Sequence, residues 1–443
     1  MVLKIGFARV DITPVESVPL AGYGNTSKRM SQNILDPLYT TCLAFTDEAG
    51  QTALIFTSDL ISAHGPLTAA CRETISQETG VPKEHIQLSS THTHSAPDTR
   101  NMDVPSIPRY REQFRLATLE AAKQALADRR PAKLSCARVK IPGMNFVRRY
   151  RLSDGDSLSD NYNGHRAADI VAHETEADHE MQVVRVVREG GPDLMLCNWQ
   201  GHCTLTGGLK KYDVSADFPI YFRRVIEQET GALCAYFTGA AGNLNLKSRI
   251  ASENPTLTPT EFGEKVASYV LGLKKIEYRP LKTGPVKVEH LLRETKINHR
   301  TDVMKPQAEE IAKLWKETND PVLCRIEGEK YGIHSPYHAN AMLSRCNMPQ
   351  SVPIELNTVS VGELSFSVSS YEMFDTNALS VKRNSPFPMT FILTCANDQN
   401  AYIPSAFAFL HAGYENDTCR FEPGTGELLQ EELIAMLKKM KAD

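Results

Sequence analysis

No Cys-x-x-Cys pair occurs among the ten cysteines of this chain, and their spacing is scattered. A cysteine-rich zinc knuckle and a disulfide framework are both disfavoured. No run of eighteen apolar residues is present, so no segment reads as a transmembrane helix. Charge is nearly balanced: a formal net charge of −4 over 443 residues leaves no basic footprint for nucleic acid or an anionic membrane. The N-terminus, from Met1 to Asp11, lacks the charged start, long apolar stretch and small-residue cleavage site of a signal peptide. A cytoplasmic location is expected unless a leader has been removed. Internal repeats and low-complexity tracts are absent as well.

What remains is an ordinary globular composition, 41% apolar and 23% charged, on a chain long enough for a large core. Alternating runs at 41–46 and 52–59 around Asp-Glu-Ala-Gly predict a hairpin. A helix is expected over 66–78, closed by Gly80, then a strand over 86–90. A helix follows at 108–128, a strand at 133–139 and a polar, loop-rich stretch at 141–177. Strands at 182–188 and 193–200, a helix at 217–230 and a buried strand at 232–238 come next. The last third carries a helix near 303–318, strands near 354–360, 364–370 and 389–394, and a terminal helix from about Glu427. Helices and strands interleave throughout, which predicts an α/β protein of mixed sheets flanked by helices. The chain reads as one unit over 1–443, with a candidate subdivision into 1–278 and 279–443 near Pro280. Cys42 and Cys234 sit in apolar strands and read as buried free thiols, and Cys203 as a packed thiol. Exposed cysteines and near-neutral charge would leave a homo-oligomer open.

The most informative stretch is His85-Ile-Gln-Leu-Ser-Ser-Thr-His-Thr-His-Ser-Ala-Pro-Asp98. A short apolar strand, 86–90, runs into two histidines and stops at Pro97. Strand alternation would point His92 and His94 the same way at its C-terminal end, where ligand clefts of open α/β sheets lie. One imidazole could hold a metal and the other serve the substrate, although hydrogen-bonded turn histidines would give the same letters. A second strand, Asn198-Trp-Gln-Gly-His202, also delivers a histidine at its C-terminus. The strand at 232–238 breaks into Gly239-Ala-Ala-Gly-Asn-Leu-Asn245.

Together with Asp11-Ile-Thr-Pro14, Ala21-Gly-Tyr-Gly24, Tyr371-Glu-Met-Phe374, Tyr402-Ile-Pro-Ser405 and Gly413-Tyr-Glu415, these motifs resemble the neutral/alkaline ceramidase family over nearly the whole chain. The resemblance implies a neutral-ceramidase-like zinc hydrolase domain. It implies one Zn²⁺ held by His92, His202, Glu372 and Tyr402, donor types that zinc accepts. It implies proton transfer by His94, and Arg148 (or its neighbour Arg149) and Tyr414 around the scissile carbonyl.

The pattern breaks in two places. Where the family carries Gly-Asp-x-Ser-Pro, this chain has Gly242-Asn-Leu-Asn-Leu246, so Asn245 stands in the place of a serine. A carboxamide is no nucleophile, which leaves water as the attacking group and makes Asn243 and Asn245 candidate substrate-binding residues. The immunoglobulin-like domain that follows in ceramidases is not expected here, an expectation that argues against a long-chain sphingolipid. The expectation is a zinc-dependent hydrolase that cleaves the amide of a small polar N-acyl substrate. An esterase or lactonase, or a non-catalytic metabolite-binding relative, is the alternative. Polar inserts at 141–177 and 320–350 are expected to line the pocket, with His165, His334 and His338 available to a hydroxyl-rich ligand. The expected partner is a small molecule, with no nucleic acid and no membrane span.

Overall fold

The computed structural model describes residues 2–24, 26–160, 166–253 and 256–442. Eight of its strands hydrogen-bond in sequence across a large mixed sheet. They are β1 (Lys4–Asp11), β2 (Tyr39–Thr46), β3 (Thr52–Ser58), β4 (Ile86–Ser90), β5 (Arg130–Lys140), β6 (Glu180–Arg188), β7 (Leu194–Trp199) and β8 (Leu233–Thr238). Their order is β8-β7-β6-β5-β1-β2-β3-β4, and a short β9 (Arg279–Leu281) also pairs with β5. A second sheet, of order β10-β11-β12-β13, is built from β10 (Val286–Lys296), β11 (Ser351–Val361), β12 (Leu364–Ser369) and β13 (Met389–Leu393).

The strands of the large sheet read as unbroken apolar runs because both of its faces are covered. Leu43 and Phe45 of β2, Ile55 of β3 and Phe237 of β8 face the second sheet, where they meet Val359, Phe366 and Phe391. The alternate residues face helices. Cys42, Ala44, Leu54 and Phe56 pack on α1 (Gly65–Thr79) and α2 (Ser106–Ala127). Val183, Met195, Cys234 and Tyr236 pack on α3 (Phe218–Thr230) and α4 (Pro259–Leu271). The outer face of the second sheet, through Ile354, Leu356 and Ile392, takes the terminal helix Thr425–Ala442. The result is four layers, helix–sheet–sheet–helix. The core between the sheets draws on residues from both sides of position 278.

The large sheet coils until its two ends draw together. Thr57 Oγ1 on β3 donates to the Tyr236 carbonyl on β8 at 2.7 Å, and Thr238 Oγ1 donates to the Thr91 carbonyl beyond β4 at 2.7 Å. A buried bidentate pair, Arg223 to Asp59 at 2.9 and 2.7 Å, fastens α3 across the same closure. Within these two sheets three strand pairs are parallel, β3 with β4, β7 with β8 and β12 with β13. The segments leaving their C-terminal ends carry the residues of interest.

Three expectations need correction. The stretch 141–177 is not merely loop: Arg149–Leu152, Ser157–Ser159 and Ile170–His173 form a small three-stranded sheet. The insert 320–350 folds into two short helices, Pro321–Glu329 and Pro336–Arg345, whose prolines sit in the first turn, where a missing N–H costs nothing. No cysteine is exposed: all ten are free and nine are buried, so exposed thiols lend nothing to an oligomer. Among the described residues, no helix is long and apolar enough to cross a membrane.

Phe366 is fully buried and its ring centroid lies 5.7 Å from those of both Phe45 and Phe391, at the meeting of the two sheets. Phe366→Ala is expected to cost about 3–5 kcal/mol in urea unfolding. A loss below about 1 kcal/mol, the size of an ordinary surface change, would contradict this packing.

Candidate metal centre

His92 and His94 do converge with their ring nitrogens, but strand alternation is not the reason. The strand ends at Ser90, and His92 adopts a left-handed backbone with φ of 63°, rare for a residue with a side chain. The chain then turns so that the His94 N–H donates to the Cys203 carbonyl at 3.0 Å, which docks it on the segment leaving β7. Ala21-Gly-Tyr-Gly24 packs beside it: a Cβ on Gly22 would lie 2.3 Å from His94 Nδ1, and the Tyr23 ring stands edge-on to His94 at 5.3 Å. Cys203 is packed as expected, its thiol donating to the Thr91 carbonyl at 3.0 Å and pushed well above the ordinary thiol pKa by burial.

Three imidazoles meet here. His92 Nδ1 lies 2.9 Å from the Ile61 carbonyl and His202 Nδ1 lies 3.0 Å from the Ala241 carbonyl. Each Nδ1 therefore carries a proton and each Nε2 points inward, the arrangement of metal-binding histidines. His94 Nε2 is 3.4 Å from His92 Nε2 and 3.0 Å from His202 Nε2. One N–H on His94 can satisfy only one of those two neighbours. Glu372 Oε2 comes within 3.5 Å of His92 Nε2, yet this buried oxygen has no hydrogen-bond partner among the described residues. Lone pairs crowded together beside an orphaned carboxylate oxygen are what a divalent cation would resolve, and the donor set suits zinc. The same donors also accept Mn, Fe or Co.

Protonation divides the three imidazoles. Burial, the charge of His92 and Arg148 hold His202 well below its ordinary pKa, and burial with the same neighbours does so for His94; both stay neutral. Burial opposes charge on His92, but Cys395 and Glu372 beside it outweigh burial and lift its pKa well above the ordinary value. Burial likewise opposes charge on Glu372, yet His92 and Arg148 hold it ionised, below the usual carboxylate range. Cys395, next to His92, carries no signal in the sequence.

Glu372 and Tyr402 arrive together because Glu372-Met373 pairs in parallel with Tyr402-Ile403. Burial and Glu372 push the Tyr402 phenol well above its ordinary pKa. Tyr414 opens the helix Tyr414–Thr418, and its ring stands edge-on to Tyr402 at 5.6 Å. Burial and Glu372 push its phenol up to about 12, so it remains a neutral donor.

The structure separates Arg148 from Arg149. Arg148 lies over the Tyr402 ring at 5.3 Å, whereas Arg149 turns to Glu174 at 2.8 Å and to the Ala408 carbonyl at 3.1 Å. Arg148 Nε is itself engaged by Glu415 at 2.7 Å and Nη2 by the Gly242 carbonyl at 2.9 Å, so it acts on the site largely through its charge.

The two asparagines part company. Asn243 donates to Asp375 Oδ1 at 2.7 Å and accepts from the Asp375 N–H at 2.9 Å, so both ends of its amide brace the helix Asp375–Asn384. It is a strut rather than a substrate contact. Asn245 Oδ1 accepts from Leu246 N–H at 2.9 Å and lies 3.4 Å from Thr204 Oγ1, two residues beyond His202.

A cavity of about 290 Å³ opens onto the centre, with His94, Glu372, Tyr402 and Tyr414 in its wall. A larger one, about 740 Å³ and lined by Phe146, Val147, His173 and Glu253, contains none of the expected site residues. Of the histidines expected from the inserts, His165 lies outside the described residues. His334 and His338 do not line the 290 Å³ cavity. His334 Nδ1 meets Asp417 Oδ2 at 2.8 Å, and His338 Nδ1 accepts from the His334 N–H at 3.4 Å. Asp417, His334 and His338 are also close enough to hold a cation, but here they bond to one another and clamp the helix bearing Tyr414. The insert reaches the cavity through Tyr337 instead.

Two outcomes are expected. Zinc should raise the thermal midpoint of the native chain and leave that of His202→Ala nearly unmoved; equal shifts in both would place binding elsewhere. For the clamp, the hydrogen bond to Asp417 raises the His334 pKa above its ordinary value. Its stabilisation is full below about pH 6.5, the unfolded value, and fades as pH rises through the raised one. Asp417→Asn, in chelator, should therefore destabilise the protein more at pH 6 than at pH 9; the reverse ranking would refute the clamp.

No protein-family model and no curated protein matches the chain. Solved structures do. A ceramidase complexed with C2 matches over 100% of this chain and 76% of its own, at a TM-score of 0.74 and 16% identity. The neutral ceramidase from Pseudomonas aeruginosa matches over 100% and 75%, at 0.74 and 15%. The chain has the neutral-ceramidase fold.

Proposed function

We propose that this chain is a zinc-dependent hydrolase that cleaves the amide bond of a small, polar N-acyl compound. One observation carries the reading: three imidazole nitrogens and an ionised Glu372 with one orphaned oxygen converge beside a small cavity whose wall includes His94, Glu372 and the phenols of Tyr402 and Tyr414. A fold shared with amide-cleaving ceramidases supports the same chemistry, although fold alone does not decide function. A cation held by His92, His202, Glu372 and Tyr402 would polarise a substrate carbonyl and make bound water acidic.

The chain's own residues supply the rest. Tyr414, a neutral phenol, donates to the carbonyl oxygen as it takes on charge, and the buried guanidinium of Arg148 stabilises that charge from behind Tyr402. His94 lines the cavity and is kept neutral by burial, so it can accept a proton and deliver it to the departing amine. Asn245 occupies the position of a serine and cannot form an acyl intermediate, so attack falls to water. The cavity volume, about 290 Å³, is at the lower end for small-molecule sites and suits a short acyl group rather than a long lipid chain.

An ester or lactone is the second reading, since the carbonyl chemistry is shared and an alkoxide leaves with less help. Matched amide and ester substrates separate the two. On an amide, His94→Ala should lower kcat/KM by about 10²–10⁴-fold, and chelation should abolish turnover until zinc is restored. A much smaller loss on the amide than on the ester, or full activity in chelator, would overturn the amide reading.

A further inference from the structure

The mouth of the cavity carries two guanidiniums for which the chemistry above has no use. Arg420 is half-buried and lines the cavity, and among the described residues no carboxylate, carbonyl or hydroxyl takes its N–H groups. The fully buried arginines of this chain are treated otherwise. Arg223 is paired with Asp59, Arg149 with Glu174, and Arg345 with the carbonyls of Asp417 and Cys419. A guanidinium partly removed from water without a counter-charge is costly unless something arrives to pair with it. Arg100 stands on the same cavity. Among the described residues its guanidinium meets one carboxylate, through Nε to Asp98 Oδ1 at 3.2 Å, and that Asp98 also accepts from Thr26 at 2.9 Å.

The other acidic groups near the mouth are occupied. Asp398 accepts from the Gly65 N–H at 2.7 Å and lies 3.5 Å from His64, and Glu372 belongs to the metal centre. The cavity lining also includes the polar side chains of Thr26, Gln399 and Thr418.

We infer that the substrate is a short N-acyl compound bearing an oxyanion, a carboxylate or a phosphate. Arg420, assisted by Arg100, receives that group at the mouth while the amide lies against His94 and Glu372. The planar fork of arginine matches both oxyanions through paired hydrogen bonds, and a half-buried setting strengthens them. The single cavity of about 290 Å³ holds both ends of the site, which keeps the spacer between amide and anion short. This inference rests on the amide-hydrolase reading, deepens it to a substrate class, and makes Arg420 a specificity-determining residue.

Three probes of similar size test it on the zinc-loaded full chain: N-acetylethanolamine, which is neutral, N-acetylglycine, and the O-phosphate of N-acetylethanolamine. At least one anionic probe should exceed the neutral one in kcat/KM by roughly 10- to 100-fold, the range of a charge-assisted hydrogen bond. The larger of the two anionic values tells carboxylate from phosphate. Arg420→Gln should collapse that preference chiefly through KM, and Arg420→Lys should retain part of it. A neutral probe that does as well, or a preference that survives in a folded Arg420→Gln, would overturn the inference. Calorimetric titration with the two anionic probes adds a binding measurement that needs no turnover. If no amide is cleaved but binding weakens tenfold or more in Arg420→Gln, anion recognition stands and the hydrolase reading falls. Equal affinity in both proteins, or no binding to either, overturns the inference itself. Should Arg420→Gln fail to fold, Arg420→Lys and Arg100→Gln carry the same comparison.

Discussion

The Thr91 carbonyl is the knot on which the site depends. It accepts from the Thr238 hydroxyl at 2.7 Å and from the Cys203 thiol at 3.0 Å, and so joins the segments leaving β4, β7 and β8. In hydrogen-bonding order β7 and β8 stand at one end of the large sheet and β4 at the other, with five strands between. Without the closure, His92 and His202 would project from strands roughly 30 Å apart, given about 4.8 Å per strand. With it, their rings lie 4.7 Å apart, centroid to centroid. The second sheet completes the arrangement: its parallel pair, β12 and β13, sends Glu372 and Tyr402 to the same point.

Electrostatics at that point are arranged before any ligand arrives. Two imidazoles are held neutral by burial and by the charges of His92 and Arg148, while one carboxylate is held ionised against its own burial. Backbone carbonyls at Ile61 and Ala241 fix two of the tautomers. A cation binding there would take the place of the proton on His92, among donors already gathered. Strain is present too: His92, Cys395, Asn397 and Ala401 all adopt left-handed backbone without being glycine, and all lie on the two loops that frame the centre. Non-glycine residues hold that conformation only where the surroundings over-determine it.

The sequence is most legible where one physical rule dominates. The strand 86–90, the hairpin at 39–58 and the helix closed by Gly80 at φ of 76° follow from alternation, turn chemistry and a left-handed cap. The inserts are less legible, because 141–177 and 320–350 lack a strong period and take their structure from what they pack against. His92 and His94 converge as expected but through a strained turn, a conformation that spacing does not encode. Asn243 reads as a substrate contact because it flanks the missing serine, yet Asp375, 132 residues further on, consumes its amide. Arg420 and Cys395 are invisible, since a lone arginine or cysteine far from any motif carries no local signal.

Everything functional assumes that one divalent cation sits among His92, His202, Glu372 and Tyr402. Anomalous diffraction at the zinc absorption edge, from crystals of the zinc-loaded protein, tests that directly. A single strong peak is expected, bounded by the Nε2 atoms of His92 and His202 and the Glu372 carboxylate. A blank map there, or a peak only at His334, His338 and Asp417, would contradict it.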